Sequence, residues 1–233
     1  SWNTAVGDLA LTTNTTGTNN SAFGHQALKF NTTGNFNTAL GWNALALNTT
    51  ASNNTAVGYQ AAYSTTTAGN NVAVGYQALY ANTTGQLATA VGYQALRNNN
   101  GDTYCTALGA RTLTSNTSGS ENVAAGDLSL NSNTTGNYNT AYGNRSLLSN
   151  TTASYNTANG YQALYTNTTG EQNTSTGYQA LRYNTTASFN TANGSQALWT
   201  NTTGANNTAS GYKALYSNTT GNYNTPLGQT AGT

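Results

Sequence analysis

Charge is what this sequence has least of: six basic and five acidic residues among 233, net +1. That is 5% of the chain, where ordinary soluble domains carry about 25%. With no basic run to follow a phosphate backbone, nucleic acid is not an expected partner. No stretch approaches the roughly 18 apolar residues that a membrane-spanning helix requires, so membrane insertion is not expected either. Cys105 stands alone, which excludes an internal disulfide framework and a Cys-rich metal site. Neither an initiator Met nor a signal-peptide pattern opens the chain, which starts inside a repeat and reads as a mature or partial product of something longer. The acids Asp8, Asp102, Glu121, Asp127 and Glu171 fall at different places in that repeat, and His25 is solitary. Paired carboxylates, a triad or a ligand cluster are therefore not expected, nor is a cofactor or an enzymatic activity.

What the chain has instead is a period. Gly7, Gly24, Gly41, Gly58, Gly75, Gly92, Gly109, Gly126, Gly143, Gly160, Gly177, Gly194, Gly211 and Gly228 follow one another at steps of 17 residues, without an insertion or deletion. Loops ordinarily tolerate length changes at little cost, so an unbroken register implies that each position stacks on its counterpart. The richness in Asn, Thr, Gly and Ser would also suit a disordered segment, but disorder does not keep aromatic and leucine columns in phase. The expected object is one repeat domain over residues 1–233, an all-β parallel solenoid or β-roll with 17 residues per coil and about 14 coils.

The columns supply the detail. Asn stands four residues before the glycine in twelve of fourteen repeats, with Ala88 and Cys105 as exceptions. Ala stands two before it except at Ser175 and Pro226, and Leu four after it except at Ala62 and Gly232. Seven after it Asn recurs, interrupted by Thr65. "NTAVG" alternates with period 2 and predicts a short strand ending at a tight bend; "YQAL" predicts a second strand, and "NTTG" the return turn. Identical Asn side chains in register can hydrogen-bond from coil to coil, and the invariant Ala and Leu predict a narrow packed core. Pro226 removes a ladder donor, so regular stacking is expected to weaken after Leu227.

The residue just before the glycine behaves differently. It is Val6, Phe23, Leu40, Val57, Val74, Val91 and Leu108 in the first half, and Asn159, Thr176, Asn193 and Ser210 later. A sealed interior would not take Phe in one layer and Asn in another. The first seven are therefore candidates for a chain–chain interface.

The "NTAVG" and "NVAVG" units resemble the head repeats of trimeric autotransporter adhesins, and the longer "NTAVGYQAL...NTTG" phrase resembles repeats of phage and bacterial tail-fibre-like proteins. The resemblance covers essentially the whole chain. It implies a left-handed β-roll, a homotrimer, an extracellular, cell-surface or virion-fibre location, and use as a structural and attachment segment. The 17-residue coil is longer than in the adhesin head. An alternative is a self-assembling, N-glycosylated extracellular filament; an ice-binding solenoid is a lesser one.

Two surface columns bear on these readings. Trp42, Tyr59, Tyr76, Tyr93, Tyr161, Tyr178 and Tyr212 follow the glycine and form either a stack that stiffens the rod or a platform for a surface glycan or receptor. Asn14, Asn31, Asn48, Asn82, Asn116, Asn133, Asn150, Asn167, Asn184, Asn201 and Asn218 head "NTT" or "NTS" sequons and are candidate glycosylation sites, unless turn chemistry alone spells the motif.

Overall fold

The computed structural model describes residues 2–101 and 104–232, so Asp102 lies outside it. The chain forms two compact units, Ser1–Ser120 and Glu121–Thr233. Each is a β-solenoid of 17-residue coils, and no helix occurs among the described residues.

In the first unit seven three-residue strands, β1 (Thr4–Val6), β2 (Ser21–Phe23), β3 (Thr38–Leu40), β4 (Thr55–Val57), β5 (Val72–Val74), β6 (Thr89–Val91) and β7 (Thr106–Leu108), pair in parallel in sequence order. The register advances by one repeat per strand, so Ala22 sits on Ala39 and Ala39 on Ala56. The second unit pairs β8 (Val123–Ala125), β9 (Thr140–Tyr142), β10 (Thr157–Asn159), β11 (Thr174–Thr176), β12 (Thr191–Asn193) and β13 (Thr208–Ser210) in the same way. Beyond β13 the ladder shrinks to one bridge, Ser210 to Leu227. Pro226 still accepts from Ser210 N at 3.2 Å. The strand ladder thus weakens near Leu227, as expected, while the turn beyond it still stacks: Leu215 N donates to Ala231 O at 2.9 Å and Thr230 N to Tyr212 O at 2.8 Å.

The second strand expected at "YQAL" is absent. This segment is a run of tight turns, with Ala27 N bonding Gly24 O, Lys29 N bonding Gln26 O and Asn31 N bonding Leu28 O at 3.1 to 3.2 Å. Gln26 and Leu28 take left-handed φ values of 57° and 50°, and the pattern repeats at Gln77/Leu79 and Gln162/Leu164. An L-residue in that region costs about 1–2 kcal/mol. Two gains offset the cost. The turn still bonds to the next coil, as in Leu28 N to Ala44 O and Phe30 N to Ala46 O, both 3.0 Å. It also drives the leucine into the interior.

The core is as narrow as its columns suggest. Leu28, Leu79, Leu96, Leu164 and Leu181 are fully buried, as are Ala39, Ala56 and Ala73. Around them lie two amide columns that hydrogen-bond from coil to coil, with a break at Asn48 and Thr65. Asn37 N and Nδ2 both donate to Oδ1 of Asn20, at 2.9 and 3.1 Å, and Nδ2 also reaches Ala51 O at 2.8 Å. Cys105 keeps the Asn slot by a weaker version of the last bond, Sγ to Gly119 O at 3.4 Å.

Candidate functional site

With the core closed, function is left to the outer faces. In β2 to β13 the central residue is buried and its neighbours face outward, whereas Ala5 of the end strand β1 is exposed. In the first unit this exposes Val6, Phe23, Leu40, Val91 and Leu108 by 37 to 58%, with Val57 and Val74 half-buried. The apolar column is thus continuous over seven coils and carries no charge. In the second unit the same position is Ala125, Tyr142, Asn159, Thr176, Asn193 and Ser210, all exposed or half-exposed, and the face becomes one of hydroxyls and amides.

On the turn face the tyrosines stack on one another. Ring centroids of Tyr59 and Tyr76 are 5.3 Å apart at 8°, and those of Tyr76 and Tyr93 5.2 Å apart at 10°. Tyr161 and Tyr178 repeat this at 5.5 Å and 12°. Such offset stacks present ring edges and hydroxyls outward, while Tyr76 has both faces turned to its neighbours. Trp42 packs against His25 at 4.3 Å, and Tyr212 lies under Lys213 at 5.3 Å. Beside the rings runs a glutamine ladder, Gln77 Nε2 to Gln60 Oε1 at 2.9 Å and Gln94 Nε2 to Gln77 Oε1 at 3.2 Å.

The sequon asparagines require a correction. Asn31, Asn48, Asn82, Asn116, Asn133, Asn150, Asn167, Asn184 and Asn201 are fully buried, and Asn14 and Asn218 partly so. Their Nδ2 groups, where a sugar would attach, are engaged: that of Asn150 donates to Asn133 Oδ1 and to Ala153 O, both at 2.9 Å. Those of Asn14 and Asn218 donate to Gly17 O and Gly221 O at 3.0 and 3.1 Å. A glycan would need the side chain to leave the core and abandon these bonds. The folded coil does not accommodate N-glycosylation, and turn chemistry accounts for the motif.

Two features escaped the sequence reading. The residue five before the glycine takes a left-handed φ from Asn19 to Tyr223, yet is often aromatic and exposed: Phe36, Tyr104, Tyr138, Tyr155 and Phe189 stand 46 to 60% exposed. The carboxylate of Glu121 beside Tyr138 raises that phenol above its ordinary value, with Tyr155 adding to the effect. The second feature is cationic. Lys29, Arg97, Arg182 and Lys213 each lie over an aromatic ring of the turn face.

Catalytic geometry is sparse. His25 Nε2 lies 3.5 Å from Asp8 Oδ2, with no nucleophile in the pair. No group of three His, Cys, Asp or Glu residues that could hold a metal occurs among the described residues. No known family model, curated protein or solved structure matches this chain.

Proposed function

We propose that the chain is a structural and attachment segment of an extracellular fibre or adhesin, assembled with further copies of itself along the strand face of the first unit. The observation that carries this reading is the uncharged apolar column Val6 to Leu108, which a solitary chain leaves in water. Contiguous exposed apolar stripes mark surfaces of interaction. A second copy of the same periodic face offers a matching stripe, with each coil opposite its equivalent. The resemblance of "NTAVG" to adhesin head repeats supports three chains and a location outside the cell. Regular coils with closed cores then supply length and stiffness, and the turn and corner faces supply a repeated surface for contact.

Sedimentation and native mass measurement at micromolar concentration test it. A closed assembly is expected, reduced to single chains when Leu40 and Val74 are both replaced by Asp, with the circular dichroism of the coils unchanged. A wild-type chain that stays monomeric overturns the interface. Open-ended growth with concentration would replace the closed fibre by a self-assembling filament.

A further inference from the structure

An asparagine followed by glycine can react with itself, because the glycine nitrogen can attack the side-chain carbonyl and no Cβ stands in its way. The sequence has three such steps: Asn100–Gly101, Asn159–Gly160 and Asn193–Gly194. All three asparagines are exposed, so exposure does not tell them apart. Their backbones do.

Asn159 ends β10 and Asn193 ends β12. In both the attacking nitrogen is committed to the ladder: Gly160 N donates to Tyr142 O and Gly194 N to Thr176 O, each at 2.8 Å. An extended strand also turns that nitrogen away from the side chain of the residue before it. Reaction at either step therefore requires a local opening of the coil.

Asn100 lies outside any strand, in a return turn that reads "NNGD" where neighbouring coils read "NTTG" or "NTSG". Gly101 N bonds to no backbone acceptor among the described residues. The space around Gly101 is open, since a Cβ there would lie 3.5 Å from its nearest neighbour, Ser118 Cα. The side-chain carbonyl is polarised as well: Oδ1 of Asn100 accepts from Thr83 N at 3.1 Å and from the Thr83 hydroxyl. Two donors on one carbonyl oxygen stabilise the negative charge that grows there during attack, as in an oxyanion hole. Among the described residues no donor reaches the carboxamide of Asn159 or Asn193.

We infer that Asn100 is a site of spontaneous covalent modification, activated by Thr83, and that the fold holds the two strand-borne Asn-Gly steps inert. Gly101 N loses its proton to hydroxide and bonds to Cγ of Asn100. The bond from Cγ to Nδ2 breaks, and Nδ2 takes a proton from water and leaves as ammonia. The five-membered imide that results adds one water at either carbonyl and opens to aspartate or isoaspartate. No oxidant, metal or partner is required. Either product places a new carboxylate in a chain that has five acids. Isoaspartate also adds a methylene to the backbone of a turn whose register is set by the 17-residue coil.

The test ages the whole chain in mildly alkaline buffer, beside a sample unfolded in guanidinium chloride. Tryptic peptides are mapped by mass spectrometry, and isoaspartate is counted by methyl transfer from an isoaspartyl methyltransferase. The peptide that follows Arg97 and ends at Arg111 holds Asn100, and fragmentation separates it from Asn98 and Asn99. In the folded chain Asn100 should react about tenfold or more faster than Asn159 and Asn193, whereas in denaturant the three rates should converge. Gly101→Ala, which the open space accepts, should slow Asn100 about tenfold. Thr83→Val keeps the shape but removes the hydroxyl, and should slow Asn100 about threefold or more in the folded chain but not in denaturant. Thermal unfolding of both variants checks that they fold like the parent. A folded chain in which Asn100 stays intact, or reacts no faster than Asn159 and Asn193, overturns the inference. A folded Thr83→Val chain that reacts as fast as the parent, or faster, refutes the part assigned to Thr83.

Discussion

Asn48 and Thr65 occupy the same interior slot in successive coils, and the amide ladder breaks between them. Asn48 Nδ2 reaches back to Asn31 Oδ1 at 2.7 Å, but its own Oδ1 and the hydroxyl of Thr65 are both buried without a partner. Thr65→Asn should restore the bond to Asn48 and add one to the carbonyl of Ala68. Two recovered buried hydrogen bonds predict a gain of about 1–3 kcal/mol, read as a raised denaturation midpoint. A lowered midpoint would mean that the coil around Thr65 has settled too tightly to accept the amide.

Leu164 is fully buried, whereas Tyr178 on the neighbouring turn face is 50% exposed. Leu164→Ala should cost about 2–5 kcal/mol, through lost burial and a cavity that a coil locked by its neighbours cannot collapse. Tyr178→Ala removes one stacked ring and should cost about 0.5–1.5 kcal/mol. Urea unfolding of the two variants measures the difference, and a reversed order would contradict the division between core and surface.

Glycine is demanded more strictly inside the stack than at its margin. A Cβ on Gly160 would lie 2.4 Å from the carbonyl oxygen of Gly177, at a φ of +140°. On Gly228, at +117°, it would meet nothing within 4 Å. Gly228→Ala should therefore pay backbone strain alone, about 1–3 kcal/mol, while Gly160→Ala should cost more by forcing two coils apart. Comparing the two melting temperatures is sufficient.

Tyr138 should titrate above an ordinary tyrosine because of the carboxylate of Glu121. Glu121→Gln should lower its pKa, as followed by phenolate absorbance or NMR. The sign for stability follows: with the folded pKa raised, the contribution is complete below the ordinary tyrosine value, 10.0, and is lost as pH rises through the folded pKa. Since the phenol is exposed, added salt should shrink the shift. A Tyr138 pKa indifferent to Glu121→Gln would dissociate the pair.

Much of this fold is legible before any coordinates. The glycine spacing sets the coil length, Ala39 and Leu28 mark the interior, and the in-register asparagines announce a ladder. The turn at "YQAL" is not legible, because Gln26 and Leu28 adopt a left-handed backbone that neither residue favours. Coil-to-coil bonds select it, and those exist only after stacking. Phe36 and Tyr138 at the left-handed corner were hidden for the same reason. The sequons misled in the opposite way: "NTT" states a surface motif, while Asn150 is held inside by partners 3 and 17 residues away. As to surfaces, the apolar column could be read from its variability. The ring contacts around Arg182 could not, since they join residues of neighbouring coils.

The asparagine ladder also has a direction. In the second unit Nδ2 of Asn150, Asn167, Asn184, Asn201 and Asn218 each donates to Oδ1 of the residue 17 earlier, never the reverse. Gln179 does the same to Gln162 on the outside, and Asn173 and Asn207 do so in the other interior column. Amide dipoles aligned in series add, as peptide units do in a helix, and each polarises the next. The amide columns are therefore electrically vectorial, each presenting N–H toward its low-numbered end and C=O toward its high-numbered end. The hydroxyls of Thr151, Thr168, Thr185 and Thr202 donate in the opposite sense, to carbonyls 17 residues later. With the two sets opposed, it is the apolar stripe of the first unit, rather than electrostatics, that would have to hold parallel copies together.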